Sequence, residues 1–363
     1  MRTLISTLIA LLCFLSLFAQ IDTVRVDLSP DSLDRAYQES GASAQALSLY
    51  NRGLAEFRKY QVQDAIATFS EVLAMEPDFA KAYYNRAAAH IEAGSYHRAT
   101  ADYDRYLLLS DEPKSDAYFL RARAHHLLDH RSRAIDCYQE AIDRGASSAE
   151  AAQYRAELLY QAGRHEEALD DYNRSLRFRP DHAGSLHDRA GTLMALGRID
   201  KAIGDYERAI ALDPSIGRAF ANLGAAYRKK ERYAEALSML NQAVKLEPNN
   251  AVVLNSRGQI HFQQENYLEA ERDFREALMK DEKYAFAHNN LAASLIKQER
   301  YDEAVKSAGK AIQLQKDYGP AYLNRGIARE MIRDMVGACE DWKKAAELDM
   351  NQANRYLAAA CKY

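Results

Sequence analysis

Small and apolar residues recur along this chain at one fixed interval. Registered on Ala65, alanine returns at Ala99, Ala134, Ala168, Ala202, Ala236, Ala270, Ala304 and Ala338, with every interval 34 residues except the second, which is 35. Twelve residues before each stands a small residue: Gly53, Ala87, Ala122, Ala156, Ala190, Gly224, Gly258, Ala292 and Gly326. Four residues after each comes Phe69, Tyr103, Tyr138, Tyr172, Tyr206, Leu240, Phe274, Ala308 or Trp342. A period of this length marks a repeat architecture in which each unit buries its apolar face against the next. Each period predicts two antiparallel helices of about a dozen residues, joined by a turn that Gly94, Gly163 and Gly197 mark. Small residues stand where the backbones approach, and the aromatic fills the space between them. Pro77, Pro180, Pro214 and Pro248 fall just past the second helix, where a missing N–H and a fixed φ end it.

Spacing, small residues, aromatics and prolines together resemble the tetratricopeptide repeat. The resemblance divides the chain into nine repeats at 46–79, 80–114, 115–148, 149–182, 183–216, 217–250, 251–284, 285–318 and 319–350. It implies an all-α, right-handed superhelical solenoid. An open solenoid exposes an apolar end. Residues 351–363 supply a capping helix, with Asn351 as N-cap and Tyr356, Leu357 and Ala360 on one face. Two repeats depart from the pattern. The eighth carries Ala308 at the aromatic position and Lys316 in place of proline, and the third also lacks its proline.

A charge pattern runs in the same phase. Repeats of this family usually place Leu before the small residue, whereas here it is Arg in seven of nine. Five of those arginines have an aspartate sixteen residues on: Arg86 with Asp102, Arg155 with Asp171, Arg189 with Asp205, Arg257 with Asp273 and Arg325 with Asp341. Where Leu223 and Leu291 replace the arginine, Met239 and Ser307 stand at the partner position. The pattern predicts an ion pair tying the two helices of a repeat, against the alternative of a solvated face worth little. Arg52 with Thr68 and Arg121 with Cys137 are exceptions.

Composition narrows the function. The 363-residue chain is 48% hydrophobic and 28% charged with a net charge of −4, which argues against general nucleic-acid binding. Arg2 followed by the apolar Leu4–Phe18 and the small Ala19 reads as a signal peptide, residues 1–19, with Gln20 the first mature residue; a retained membrane anchor is the alternative. The Leu17-Phe18-Ala19-Gln20 ending resembles signals of Gram-negative envelope proteins, which implies a periplasmic or secreted chain with no membrane insertion after cleavage. Leu12 ahead of Cys13 argues against lipidation. Residues 20–45 form a leader in which Val24, Val26 and Leu28 alternate with Arg25 and Asp27, and Ser29-Pro30 opens a short helix. The leader is either flexible or a strand that pairs with a partner's sheet edge.

Hidden chemistry is sparse. His90, His125 and His261 fall at a packing position, and His126 and His130 are spaced like two metal ligands with no Glu or Cys to complete the set. No phosphate-binding glycine loop, nucleophile elbow or His-Glu-x-x-His run occurs. The expectation is therefore no enzyme, no metal, no cofactor and no small-molecule substrate. Cys339 and Cys361 are a candidate disulfide, with two small buried thiols as the alternative, and Cys137 is left over. The Asn173-Arg174-Ser175 sequon lies inside a helix, which argues against glycosylation there. The family resemblance implies a concave groove lined by first helices, at Tyr84, Phe119, Arg123, His126, Tyr160, Met194, Arg228, Lys229, Asn255, Phe262 and Asn289. Tyr50 and Leu54 replace the family's carboxylate-clamping residues, so a chaperone tail is not the expected ligand. The expected partners are one or a few envelope proteins, held by a scaffold or adaptor. A holder of unfolded exported clients and a carbohydrate binder are the alternatives.

Overall fold

The computed structural model describes residues 43–146 and 148–361. The expected signal peptide, residues 1–19, and most of the expected 20–45 leader lie outside the described residues, as does the end of the 351–363 segment. The chain divides into two compact units, Met1–Ala146 and Ser147–Tyr363.

In the first unit, helices α1 (Ala44–Arg58), α2 (Val62–Met75), α3 (Ala80–Glu92), α4 (Tyr96–Leu109), α5 (Ser115–Leu127) and α6 (Arg131–Asp143) form three antiparallel pairs. The second holds six more: α7 (Ser148–Gln161) with α8 (His165–Phe178), α9 (Ala183–Ala195) with α10 (Ile199–Leu212), and α11 (Gly217–Lys229) with α12 (Tyr233–Leu246). These continue as α13 (Ala251–Gln263) with α14 (Tyr267–Lys280), α15 (Ala285–Lys297) with α16 (Tyr301–Leu314), and α17 (Gly319–Met331) with α18 (Met335–Glu347). A last helix, α19 (Ala353–Ala360), follows. Each pair matches one predicted repeat to within a few residues.

The periodic residues account for the pairing. The nine alanines of the register are fully buried, and the aromatics four residues on fill the space between paired helices. Gly258 is small because a Cβ there would come 2.7 Å from the Phe274 ring. Each pair turns on one left-handed residue. Gly94, Gly163 and Gly197 take it at φ of 68°, 76° and 72°, but Tyr60, Asp129, Glu231, Glu265, Glu299 and Arg333 also take it, so glycine marked only part of the turns. Glu76, Arg179, Asp213 and Glu247 cap second helices immediately before the four predicted prolines. The third repeat, without a proline, ends at Gly145 with φ of 75°.

The C-terminal end differs from its prediction in one detail. Gln352, not Asn351, stands at the N-cap of α19, and it makes no side-chain capping bond. Tertiary contacts hold the helix instead. Tyr356 stacks on Trp342 at 4.9 Å between ring centroids, and Leu357 and Ala360 pack on the same cluster. A disulfide joins Cys339 of α18 to Cys361.

Candidate functional site

The recurring arginines grip aspartates through both edges of the guanidinium. Arg86, Arg155, Arg189, Arg257 and Arg325 each donate from Nε and Nη2 to the two carboxylate oxygens of Asp102, Asp171, Asp205, Asp273 and Asp341. The ten bonds run from 2.5 to 2.9 Å. This planar, two-bonded geometry is what the fork of arginine supplies and lysine cannot. A third bond was not predicted. Nη1 reaches a residue sixteen positions back, on the preceding repeat: Ser70 for Arg86, Asn173 for Arg189 and Asn241 for Arg257. One side chain thus ties three helices. Of the exceptions, Arg52 still reaches the residue sixteen on, donating to Thr68 and also to Glu71, while Arg121 turns to Asp104 and Glu140.

The face of the first helices divides the predicted groove residues in two. Tyr84, Phe119, Asn255 and Asn289 are buried, which corrects their assignment to a partner-facing surface. Tyr84 lies against Tyr103 and Tyr106 and donates its hydroxyl to Asp116 at 2.8 Å. Burial, then the Asp116 charge, pushes that hydroxyl's pKa well above the ordinary tyrosine value. Phe119 packs on Tyr138. Asn255 and Asn289 accept bonds of 2.9 Å from Asn290 and Asn324, the residues 35 positions on.

Those two bonds belong to a ladder. Asn85 donates to the Tyr50 hydroxyl at 2.6 Å, and Asn222 meets His187 Nε2 at 3.0 Å, again across 35 positions. Asn85, Asn222, Asn290 and Asn324 each stand two residues before the small residue of their repeat. That phase is a signal the sequence carried and the reading of it missed. The ladder links α1 to α3, α9 to α11, α13 to α15 and α15 to α17, and its amides are taken up within the protein.

What remains at least partly open to solvent is a row. In the second unit Tyr160, Met194, Arg228 and Phe262 occupy one repeat position, 34 residues apart, with Lys229 exposed beside Arg228. Tyr160 is 40% exposed. Tyr160 leans on His165, Phe262 on Tyr267, and Arg228 donates to Gln259 at 2.8 Å, so three members are braced by neighbours. In the first unit Arg123 and His126 are half-buried. His126 Nδ1 lies 3.3 Å from the Tyr138 hydroxyl, and burial followed by the Arg123 charge lowers the imidazole pKa.

His90 and His125 are buried and His261 half-buried, as packing residues are. His130 packs against the rings of His125 and His97, while His126 turns to Tyr138. Among the described residues no group of three or more His, Cys, Asp or Glu could hold a metal ion. Cys137 is a free, half-buried thiol whose pKa burial raises. Ser175 of the sequon is fully buried. No helix of the described residues is long and apolar enough to cross a membrane.

Family models described as tetratricopeptide repeat match residues 50–117, 119–183, 222–288, 181–248 and 285–318. Tetratricopeptide repeat protein 12 of Mus musculus is 33% identical over 119 residues, 33% of this chain and 17% of that protein. The chain spans less than a quarter of the length of the curated relatives it matches, at 17%, 22% and 14%. Two solved structures share the fold. A tetratricopeptide repeat protein from Parabacteroides merdae is 17% identical, with a TM-score of 0.56 over 68% of this chain and 99% of its own. The C-terminal part of a repeat-containing protein from Cytophaga hutchinsonii is 16% identical, with a TM-score of 0.57 over 67% and 99%.

Proposed function

The chain belongs to the tetratricopeptide-repeat family, and on that premise we propose that it is a non-catalytic scaffold holding other proteins on the face of its first helices. The observation that carries the reading is the row of Tyr160, Met194, Arg228 and Phe262 at one repeat position of successive helices, the first exposed and the other three half-buried. Aromatic and arginine side chains held by their neighbours lose little freedom on binding and supply most of the energy of protein contacts. The ladder and the arginine ties stiffen the helices that carry them.

The same reading puts the mature chain in the periplasm or outside the cell, with residues 1–19 removed near Ala19 and one or a few envelope proteins as partners. The Cys339–Cys361 disulfide supports it, because such bonds persist where the surroundings are oxidising.

Photo-crosslinking in the native cells tests both parts. A photoreactive amino acid placed in turn at Met194 and Phe262 captures a short, shared set of envelope proteins, whereas one at the exposed Arg272 of α14 does not. Crosslinks to a broad mixture of exported proteins, or only from Arg272, would contradict the assignment of the face. A captured chain that still begins at Met1 would contradict export by cleavage.

A further inference from the structure

The eighth repeat breaks the arginine tie, and the break leaves a cleft. In five repeats the arginine reaches outward from its first helix to the aspartate sixteen residues on, between successive second helices. Here the two positions carry Leu291 and Ser307. The result is a cleft of about 600 Å³ between α14, α15 and α16, whose lining includes Leu278, Met279, Leu291, Leu295, Lys306 and Lys310. The sixth repeat also lacks the tie, but there the longer Met239, half-buried, packs against the core cluster that contains Leu223. The short Ser307 cannot do the same, and its hydroxyl is turned away to donate to the His288 carbonyl at 2.9 Å.

The floor is apolar. Leu291 and Leu295 are buried beneath the opening, and Met279 on the wall is 77% exposed. The rim is positive. Its one carboxylate, Glu303, already pairs with Arg275 and Arg300 at 2.8 to 3.1 Å. Lys306 and Lys310 are exposed and have no hydrogen-bond or ion-pair partner among the described residues. They stand four residues apart, on one side of α16 and about one helical turn from each other.

We propose that this cleft is a docking site for an acidic peptide segment of a partner protein, which seats one large apolar side chain on Leu291 and Leu295 and sets two carboxylates against Lys306 and Lys310. Two cations a turn apart fit carboxylates spaced along a chain better than the single head of a fatty acid. The cleft's lining shares no residue with the row on the first helices, although Phe262 packs on the same cluster as Leu291 and Leu295, and the variants below leave the row unchanged, so the two readings are tested separately.

The test uses the full mature chain and fluorescein-labelled ten-residue peptides with one Leu, Met or Phe among three Asp or Glu residues. Matched peptides carry Ala at the anchor, or Asn and Gln for the acids. Fluorescence anisotropy is expected to show the acidic, anchored peptides binding at least tenfold tighter than either control. Ser307→Met, which copies the sixth repeat and fills the cleft, is expected to weaken binding at least tenfold. So is Lys306→Glu with Lys310→Glu, a change confined to exposed residues that keeps the test decisive if the Met variant fails to fold. Equal binding of all three peptide types overturns the proposal, as does unchanged binding in the lysine variant. Laurate binding that both variants abolish, with no peptide binding, assigns the cleft to a lipid and also overturns it.

Discussion

Arg257 illustrates what the repeating charges do. Its guanidinium donates twice to Asp273, which is 3% exposed, and once to Asn241 of the repeat before. Removing one partner of such a pair strands the other, and the stranded charge costs more than the pair itself contributed. Asp273→Ala is therefore expected to lower stability by about 3 kcal/mol, read as a shift in the urea midpoint. Arg198→Ala, which breaks an exposed pair with Glu166, is expected to change it by less than about 1 kcal/mol. Equal effects of the two changes would return the aspartates to a solvated face. These pairs were legible in the sequence because both partners recur in one phase. Tyr84 was misread because a repeat position gives the helix face but not what covers it. Tyr103 and Tyr106 of α4 and Asp116 of α5 close over it.

At the scale of helices, two devices have measurable consequences. Burial holds the imidazoles of His90 on α3 and His125 on α5 below the ordinary histidine value. Asp102 pulls His90 up while Arg86 and Arg98 push it down; Asp104 pulls His125 up against His130, Arg121 and Arg133. A depressed folded-state pKa gives stability that is present above the unfolded value of 6.5 and lost as pH falls through the folded value. The melting temperature is expected to drop between about pH 7.5 and about pH 5.5, and His90→Gln with His125→Gln to flatten that drop. A slope unchanged in the double variant would show that other groups set it. The second device is the stapled end. The Cys339–Cys361 bond closes a separation of 22 residues, and losing it in Cys339→Ser is expected to cost about 3 kcal/mol. Because repeats contact only their neighbours, hydrogen exchange should quicken in α17 to α19 and leave α1 to α6 as they were. Uniform quickening would contradict a local staple. The capping helix was foreseen from its apolar face, but its N-cap was not, since stacking on Trp342 rather than a side-chain cap positions it.

For the molecule as a whole, the period of 34 sufficed to expect an all-α repeat protein, because within each unit a pair packs chiefly on its neighbours in sequence. Function was less legible. The asparagine ladder withdraws Asn255 and Asn289 from the surface, and only side chains from successive repeats, placed together, reveal which residues stay open. That leaves the row on the second unit's first helices as the surface on which the account depends. The most direct test is quantitative affinity capture of the full chain from its native cells, beside a variant carrying Tyr160→Ala, Met194→Ala, Lys229→Glu and Phe262→Ala. All four residues are exposed or half-buried, so the variant's melting temperature serves as the control for folding. The account predicts a short partner list that falls at least tenfold in the variant while the melt stays within a few degrees. A partner list that survives all four substitutions in a folded variant would contradict it.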